Sequence, residues 1–147
     1  MKGKVKHPFI MGSLDKLKTE EPKSIIDFIK KYVKTTLNVS AKVDGISCRL
    51  HYENGKLISA STRGDGEFGE DITDKVKFVK CIPAKISIED TIDIRGELVI
   101  TKSDFMALSG FANPRNACAG IMNRKEWNKS DVEKISFVAY TVLGTKY

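Results

Sequence analysis

The dipeptide Asn54-Gly55 constrains this chain more than any other feature. It separates two runs of alternating apolar and polar residues, and an Asn-Gly link accepts the left-handed backbone that a two-residue hairpin turn needs. Alternation runs from Val39 to Arg63, with Ile46, Cys48, Leu50 and Tyr52 on one face before the turn and Lys56 to Thr62 after it. A β-hairpin is expected, with Lys42 at its opening. A second alternating run, Thr91 to Ile100, sets Ile92, Ile94, Leu98 and Ile100 on one side and Asp93, Arg95, Glu97 and Val99 on the other. One face of each strand suits a core, and the opposite face is left for chemistry.

Around these strands the period changes. Ile25, Ile26, Ile29, Tyr32 and Val33 recur at helical spacing after Pro22, opposite Lys23, Asp27, Lys30, Lys31 and Lys34, which is the pattern of an amphipathic surface helix. Residues 1 to 21 show little periodicity and read as an irregular lead-in. Gly64-Asp65-Gly66 and Gly69 read as a flexible loop, followed by a short helix through Val79 that Pro83 helps to end. Thr101 caps a helix to Leu108 that Gly110 stops, Asn113-Pro114 opens another, and Ile135 to Leu143 is a final strand. The fold class expected is α+β, mainly antiparallel sheets flanked by short helices. One domain is expected over 1–147, with lead-in and helix over 1–38 and the core over 39–147; a chain of 147 residues buries enough surface to fold without staples.

Composition narrows the function classes. No apolar run approaches the roughly 18 residues of a membrane span, and the basic Met1-Lys2-Gly3-Lys4-Val5-Lys6 start has no apolar stretch behind it to make a secretion signal. Cys48, Cys81 and Cys118 stand singly, which argues against a zinc site or a disulfide framework and for a reducing, cytoplasmic setting. The net charge of +6 favours polyanionic partners. Lysines dominate that charge and can equally be a solvated surface, whereas three of the five arginines, Arg63, Arg95 and Arg115, fall inside motifs. Their planar forks suit phosphate and ribose.

The motif with the most chemistry is Lys42-Val43-Asp44-Gly45. A lysine amine attacks phosphorus only when unprotonated, and an ordinary lysine with a pKa near 10.4 is free in about one molecule in a thousand at neutral pH. A lysine nucleophile therefore needs burial or nearby cations such as arginines. Asp44 suits orienting the lysine or engaging a metal, and Gly45 permits close backbone approach. In isolation the tetrapeptide reads better as an exposed turn.

Its neighbours make the resemblance specific. Ala41-Lys42-Val43-Asp44-Gly45, then Ser61-Thr62-Arg63-Gly64-Asp65-Gly66 with Gly69-Glu70-Asp71-Ile72-Thr73, then Ile94-Arg95-Gly96-Glu97, then Phe111-Ala112-Asn113-Pro114-Arg115-Asn116-Ala117 resemble, in order and spacing, the adenylation domain of NAD-dependent DNA ligases. His7-Pro8 and Ser13-Leu14-Asp15 are similar to the segment that precedes the nucleotide pocket there. Transferases using ATP or GTP share the Lys-x-Asp-Gly element, but the Thr-Arg-Gly-Asp-Gly and Asn-Pro-Arg-Asn runs belong to the NAD-dependent branch.

The resemblance implies a DNA-ligase-like nucleotidyltransferase core, truncated. It implies that Lys42 forms a covalent adduct with AMP from NAD, that Arg63 and Glu97 hold the ribose, and that Tyr140 stacks on adenine. Ser13 and Leu14 would line the pocket through their backbone, and Arg115 and Arg124 would meet phosphate or DNA. Mg²⁺ is the implied metal, with Asp44 or Glu97 as candidate ligands, and nicked double-stranded DNA the implied partner in replication or repair. The setting would be the nucleoid, or a host cell if the source is viral. Rival readings stay open: Arg95 and Glu97 as a surface charge pair, Tyr140 as core packing, the glycine-rich loop as a connector, and His7 as a structural residue.

Two departures stand out. Ser40 replaces the glutamate that commonly precedes the lysine by two residues and helps recognise adenine, and Asn123 occupies the place of a second arginine, with Arg124 displaced by one residue, about 100° on a helix. Segments bearing further lysines and an acidic residue, the nicotinamide-recognising module and the DNA-encircling domains of the family are not in this sequence. A truncated or degenerate copy, a nucleotide- or DNA-binding module, a half ligase completed by a second subunit, and use of ATP instead of NAD are the alternatives.

Overall fold

The computed structural model describes residues 3–14 and 17–144; Asp15 lies outside them. The chain divides into two units, Gly12–Lys42 and a larger one joining Met1–Met11 to Val43–Tyr147. The smaller unit holds helix α1, Pro22–Tyr32, whose proline stands in the first turn and whose last turn carries Lys30 and Lys31, where cations complement the helix dipole. The expected amphipathic helix is present.

The larger unit is built on four antiparallel strands in the order β3-β2-β5-β6, where β2 is Ile46–Glu53, β3 Lys56–Thr62, β5 Ile92–Ile100 and β6 Ile135–Leu143. The hairpin turns at Asn54 and Gly55 with φ of 47° and 71°, the double positive φ that selected this dipeptide. Register then assigns the faces. Cys48 opposes Gly96, Leu50 opposes Ile94 and Tyr52 opposes Ile92, so the apolar sets of β2 and β5 share one side. Cys48, Leu50, Tyr52, Ile92, Leu98 and Ile135 are all at most 1% exposed. At about 1.5–3 kcal/mol per fully buried large apolar side chain, this layer supplies most of the drive to fold.

Short helices cover that side. Helix α4, Pro114–Asn123, lays Ala117, Cys118, Ile121 and Met122 against β5 and β2, with Asn113 capping it by accepting from the Asn116 N–H at 2.8 Å. Helix α2, Thr73–Val76, and helix α5, Lys129–Val132, add Val76 and Val132 to the core, while α3, Lys102–Met106, starts at the Thr101 cap. The buried Tyr52 hydroxyl donates to the Pro83 carbonyl at 2.8 Å, satisfying a polar atom that burial would otherwise penalise. Gly96 is required where it stands, because a Cβ there would enter the Phe137 ring.

The α+β expectation holds, with differences in detail. The lead-in is not wholly irregular, because β1, Lys4–Lys6, pairs antiparallel with β4, Phe68–Glu70. The glycine-rich stretch correspondingly contains a short strand rather than loop alone. Both strands have three residues, too few to show alternation, and their partners are more than 60 positions apart in sequence. The first hairpin strand begins at Ile46 and not at Val39. The helices after Thr73 and Thr101 end sooner than expected, and α5 has no counterpart in the sequence reading.

Burial sorts the cysteines. Cys48 and Cys118 are wholly enclosed and burial pushes both thiols up, that of Cys118 to about 12, whereas Cys81 is exposed. A thiol reagent at mildly alkaline pH is expected to label Cys81 at once and the other two only on unfolding, a sequence that mass spectrometry of the folded and urea-unfolded protein checks.

Candidate active site

Gly45 admits the chain to β2 beside β5, since any Cβ at that position would run into the Leu98 carbonyl. Just before it, the Asp44 carboxylate faces outward and pairs with Arg115 Nη1 at 3.3 Å. Arg115 is the second residue of α4, so the Asn113 cap and Pro114 fix the helix start from which it reaches back. Both side chains are more than half exposed, and such a pair is worth at most about 1 kcal/mol. Its importance is positional: it joins two segments 71 residues apart.

Arg63 follows β3 and opens a tightly built loop. Its N–H donates to the Ser47 carbonyl at 2.9 Å, and its own carbonyl accepts from Gly66 N–H at 3.0 Å and from His7 Nε2 at 3.2 Å. His7 is buried and its N–H donates to the Glu67 carbonyl at 2.8 Å, so its role in the structure is to brace this loop. Within the loop the Asp65 carboxylate accepts from the Phe68 and Glu67 N–H groups at 2.7 and 3.0 Å. These bonds, that from Phe68 foremost, hold the Asp65 carboxyl below its ordinary range.

An open concavity lies where these pieces meet, lined by Ser47, Thr62, Arg63, Glu70, Arg115 and Asn123 among others. Ser47 is its hub. It lies opposite Glu97 in the β2–β5 ladder, accepts the Arg63 N–H through its carbonyl, and shares a 2.8 Å hydroxyl hydrogen bond with Tyr140. Tyr140 is the extra residue of a bulge in β6, where the register shifts between Arg95 and Gly96; it is half exposed rather than core, with the Arg95 guanidinium 6.0 Å from its ring centre. Bulges recur beside active sites because they re-aim a side chain. Of the residues expected from sequence to act together, Arg63 and Arg115 line the concavity with Ser47, Tyr140 is bonded to the Ser47 hydroxyl and Glu97 lies opposite Ser47 in the ladder; Ser47 itself is absent from the sequence expectation. Its signal was legible: a hydroxyl on the polar face, two residues after Gly45.

Further along the same face, Arg49 pairs with Asp93 at 2.6 Å and Asp93 also meets His51 Nδ1 at 2.8 Å. Arg49 is buried, so this end of the face is occupied by a structural ion pair and is not open to a ligand. Asn123, rather than Arg124, lines the concavity; Arg124 caps α4 and its guanidinium sits 5.1 Å from the Phe111 ring centre. Lys42, Ser13 and Leu14 belong to the smaller unit and are exposed, Lys42 in an irregular stretch directly joined to Val43. No group of three or more His, Cys, Asp or Glu able to hold a metal occurs among the described residues.

Comparison with known proteins shows the family. The chain belongs to the family described as the NAD-dependent DNA ligase adenylation domain, which matches residues 2–146. It is similar to the DNA ligase of Xanthobacter autotrophicus, 38% identical over 160 residues covering 94% of this chain and 22% of that ligase. The DNA ligase of Ehrlichia canis is 37% identical over 155 residues, covering 97% of this chain and 23% of its own length. Over a shorter stretch of 95 residues the DNA ligase of Campylobacter hominis reaches 52%, covering 58% of this chain and 15% of its own. The chain spans less than a quarter of the length of these curated relatives.

The Asp65 loop allows a pH test with a defined sign. A depressed folded-state pKa contributes stability above the ordinary carboxylate range, and the contribution is lost as pH falls through the folded value. Asp65→Ala is therefore expected to lower the thermal midpoint at neutral pH, and the gap to the unsubstituted protein should close in acid, below about pH 4. Thermal scans across pH check this.

Proposed function

We propose that this chain carries the nucleotide-binding core of an NAD-dependent DNA ligase and that Lys42 is its nucleophile. Its Nζ would attack the α-phosphorus of NAD, forming an N–P bond as the P–O bond to nicotinamide mononucleotide breaks and the amine proton passes to solvent. AMP would then move to the 5′-phosphate of nicked double-stranded DNA, to be displaced by the 3′-hydroxyl. Arg63 and Glu97 are assigned to the ribose, Tyr140 to the adenine face, the Ser13 and Leu14 backbone to the pocket edge, and Arg115 and Arg124 to phosphate and DNA. Ring stacking suits adenine, and arginine forks suit phosphate oxygens.

The observation that carries this reading is the concavity that Arg63 and Arg115 share with Ser47, itself bonded to Tyr140 and opposite Glu97, with Asp44 of the lysine motif held to Arg115 of the Asn-Pro-Arg-Asn motif at 3.3 Å. The net charge of +6 supports a polyanionic partner. For Mg²⁺ the described residues offer single carboxylates and no cage, Asp44 already facing Arg115, so the ion would be held chiefly by phosphate oxygens, as that metal commonly is. No step here depends on it. An intracellular setting, with the rest of the machinery supplied by further chain or a second subunit, completes the proposal.

Asn123 at the concavity, where the family more often has arginine, favours a second reading: a module that binds nucleotide without transferring it. Intact-mass measurement after incubation with NAD and Mg²⁺ separates the two. One added AMP is expected, absent in Lys42→Ala; AMP affinity with no adduct, even when the remaining ligase segments are supplied, would establish the binding module instead. Running ATP in parallel identifies the donor.

A further inference from the structure

The concavity has two walls on different elements, and a buried lysine spans between their supports. One wall, with Arg63 and Glu70, hangs from β3 and β4; the other, with Arg115 and Asn123, belongs to the two ends of α4. Lys75, in α2, is 5% exposed, and its Nζ donates to the carbonyls of Ile121 at 3.2 Å, Arg124 at 2.7 Å and Met122. Those oxygens lie at the C-terminal end of α4 and bracket Asn123. Terminal carbonyls of a helix have no partners inside the helix, and an ammonium group has three N–H donors to give. Buried charge persists only when so satisfied, and this cation also meets the negative end of the helix dipole.

The other end of the link is equally fixed. Helix α2 is tied to β3 by the Ala60 N–H donating to Thr73 Oγ1 at 3.0 Å and by the Ile72 N–H donating to the Ala60 carbonyl at 3.0 Å. Two residues beyond Ala60, β3 ends and Arg63 begins the opposite wall. Lys75 therefore spans from the support of one wall to the last turn of the other. An apolar side chain could fill the same space, but it would leave the three carbonyls without a donor.

We infer that Lys75 is a positioning residue: it sets the last turn of α4 relative to β3, and through it the placement of Asn123 and Arg115 around the ligand. The inference rests on the nucleotide-binding reading for its ligand, though not for its geometry. Lys75→Met is expected to weaken AMP binding, measured by calorimetry on the full chain, by about five- to tenfold. In the same variant the Asn123 side-chain amide and Arg115 Nε–H NMR signals should shift, while amide signals along the β2–β5 ladder stay in place. If Lys75→Met does not fold, Lys75→Gln, which retains two donors, carries the same readouts with a smaller change. A folded variant with Asn123 and Arg115 signals and AMP affinity unchanged overturns the inference. If the unsubstituted chain binds no AMP but the two signals still shift, the nucleotide reading falls and the positioning role stands.

Discussion

The pairing of β2 with β5 is the constraint on which the remaining structure depends. Its register places Cys48 against Gly96 and Ser47 against Glu97, assigning every second residue of both strands to the core and the rest to the polar face. A slip of one residue would send Leu50 and Leu98 to solvent and Ser47, Arg49 and Glu97 into the apolar layer, at a cost no surface contact offsets. Core and site are therefore consequences of one ladder. Gly45 and Gly96 mark where it runs closest to its neighbours, against the Leu98 carbonyl in one case and the Phe137 ring in the other.

The polar face divides along its length. At one end Arg49, Asp93 and His51 bond to one another in a partly buried cluster, which keeps charge on that face without opening it. At the other end Ser47 gathers groups from β3, β5 and β6, and α4 brings Arg115 to the concavity. The two ends use similar residue types for different purposes. What separates them is burial: Arg49 is buried, whereas the Arg115 and Tyr140 side chains are half exposed or more.

Much of this was legible beforehand because it depends on short-range regularities. The Asn54-Gly55 hairpin, the strand from Ile135 to Leu143 and the Thr101 and Asn113 caps follow from local backbone preference, and the structure reproduces them. The β1–β4 pair escaped because each strand has a single alternation at most and finds its partner only after the chain has folded back. His7 is structural, as expected, but its partner, a carbonyl 56 residues away, could not be named for the same reason. Lys75 was invisible as a buried residue, since nothing in Thr73-Asp74-Lys75-Val76 announces that a helix end with spare carbonyls will arrive beside it.

By itself the sequence determined the α+β class, the faces of the two principal strands, and the order of motifs around Lys42, because periodicity and motif spacing are properties of contiguous residues. Only the tertiary structure decided that Ser47 would be the meeting point, that Asn123 and not Arg124 would line the concavity, and that Arg49 would be closed off by Asp93. Each of these depends on strand register or on the rotation of α4, where one residue changes direction by about 100° on a helix or by a whole face on a strand. Such directions are set by long-range packing, which no local pattern encodes.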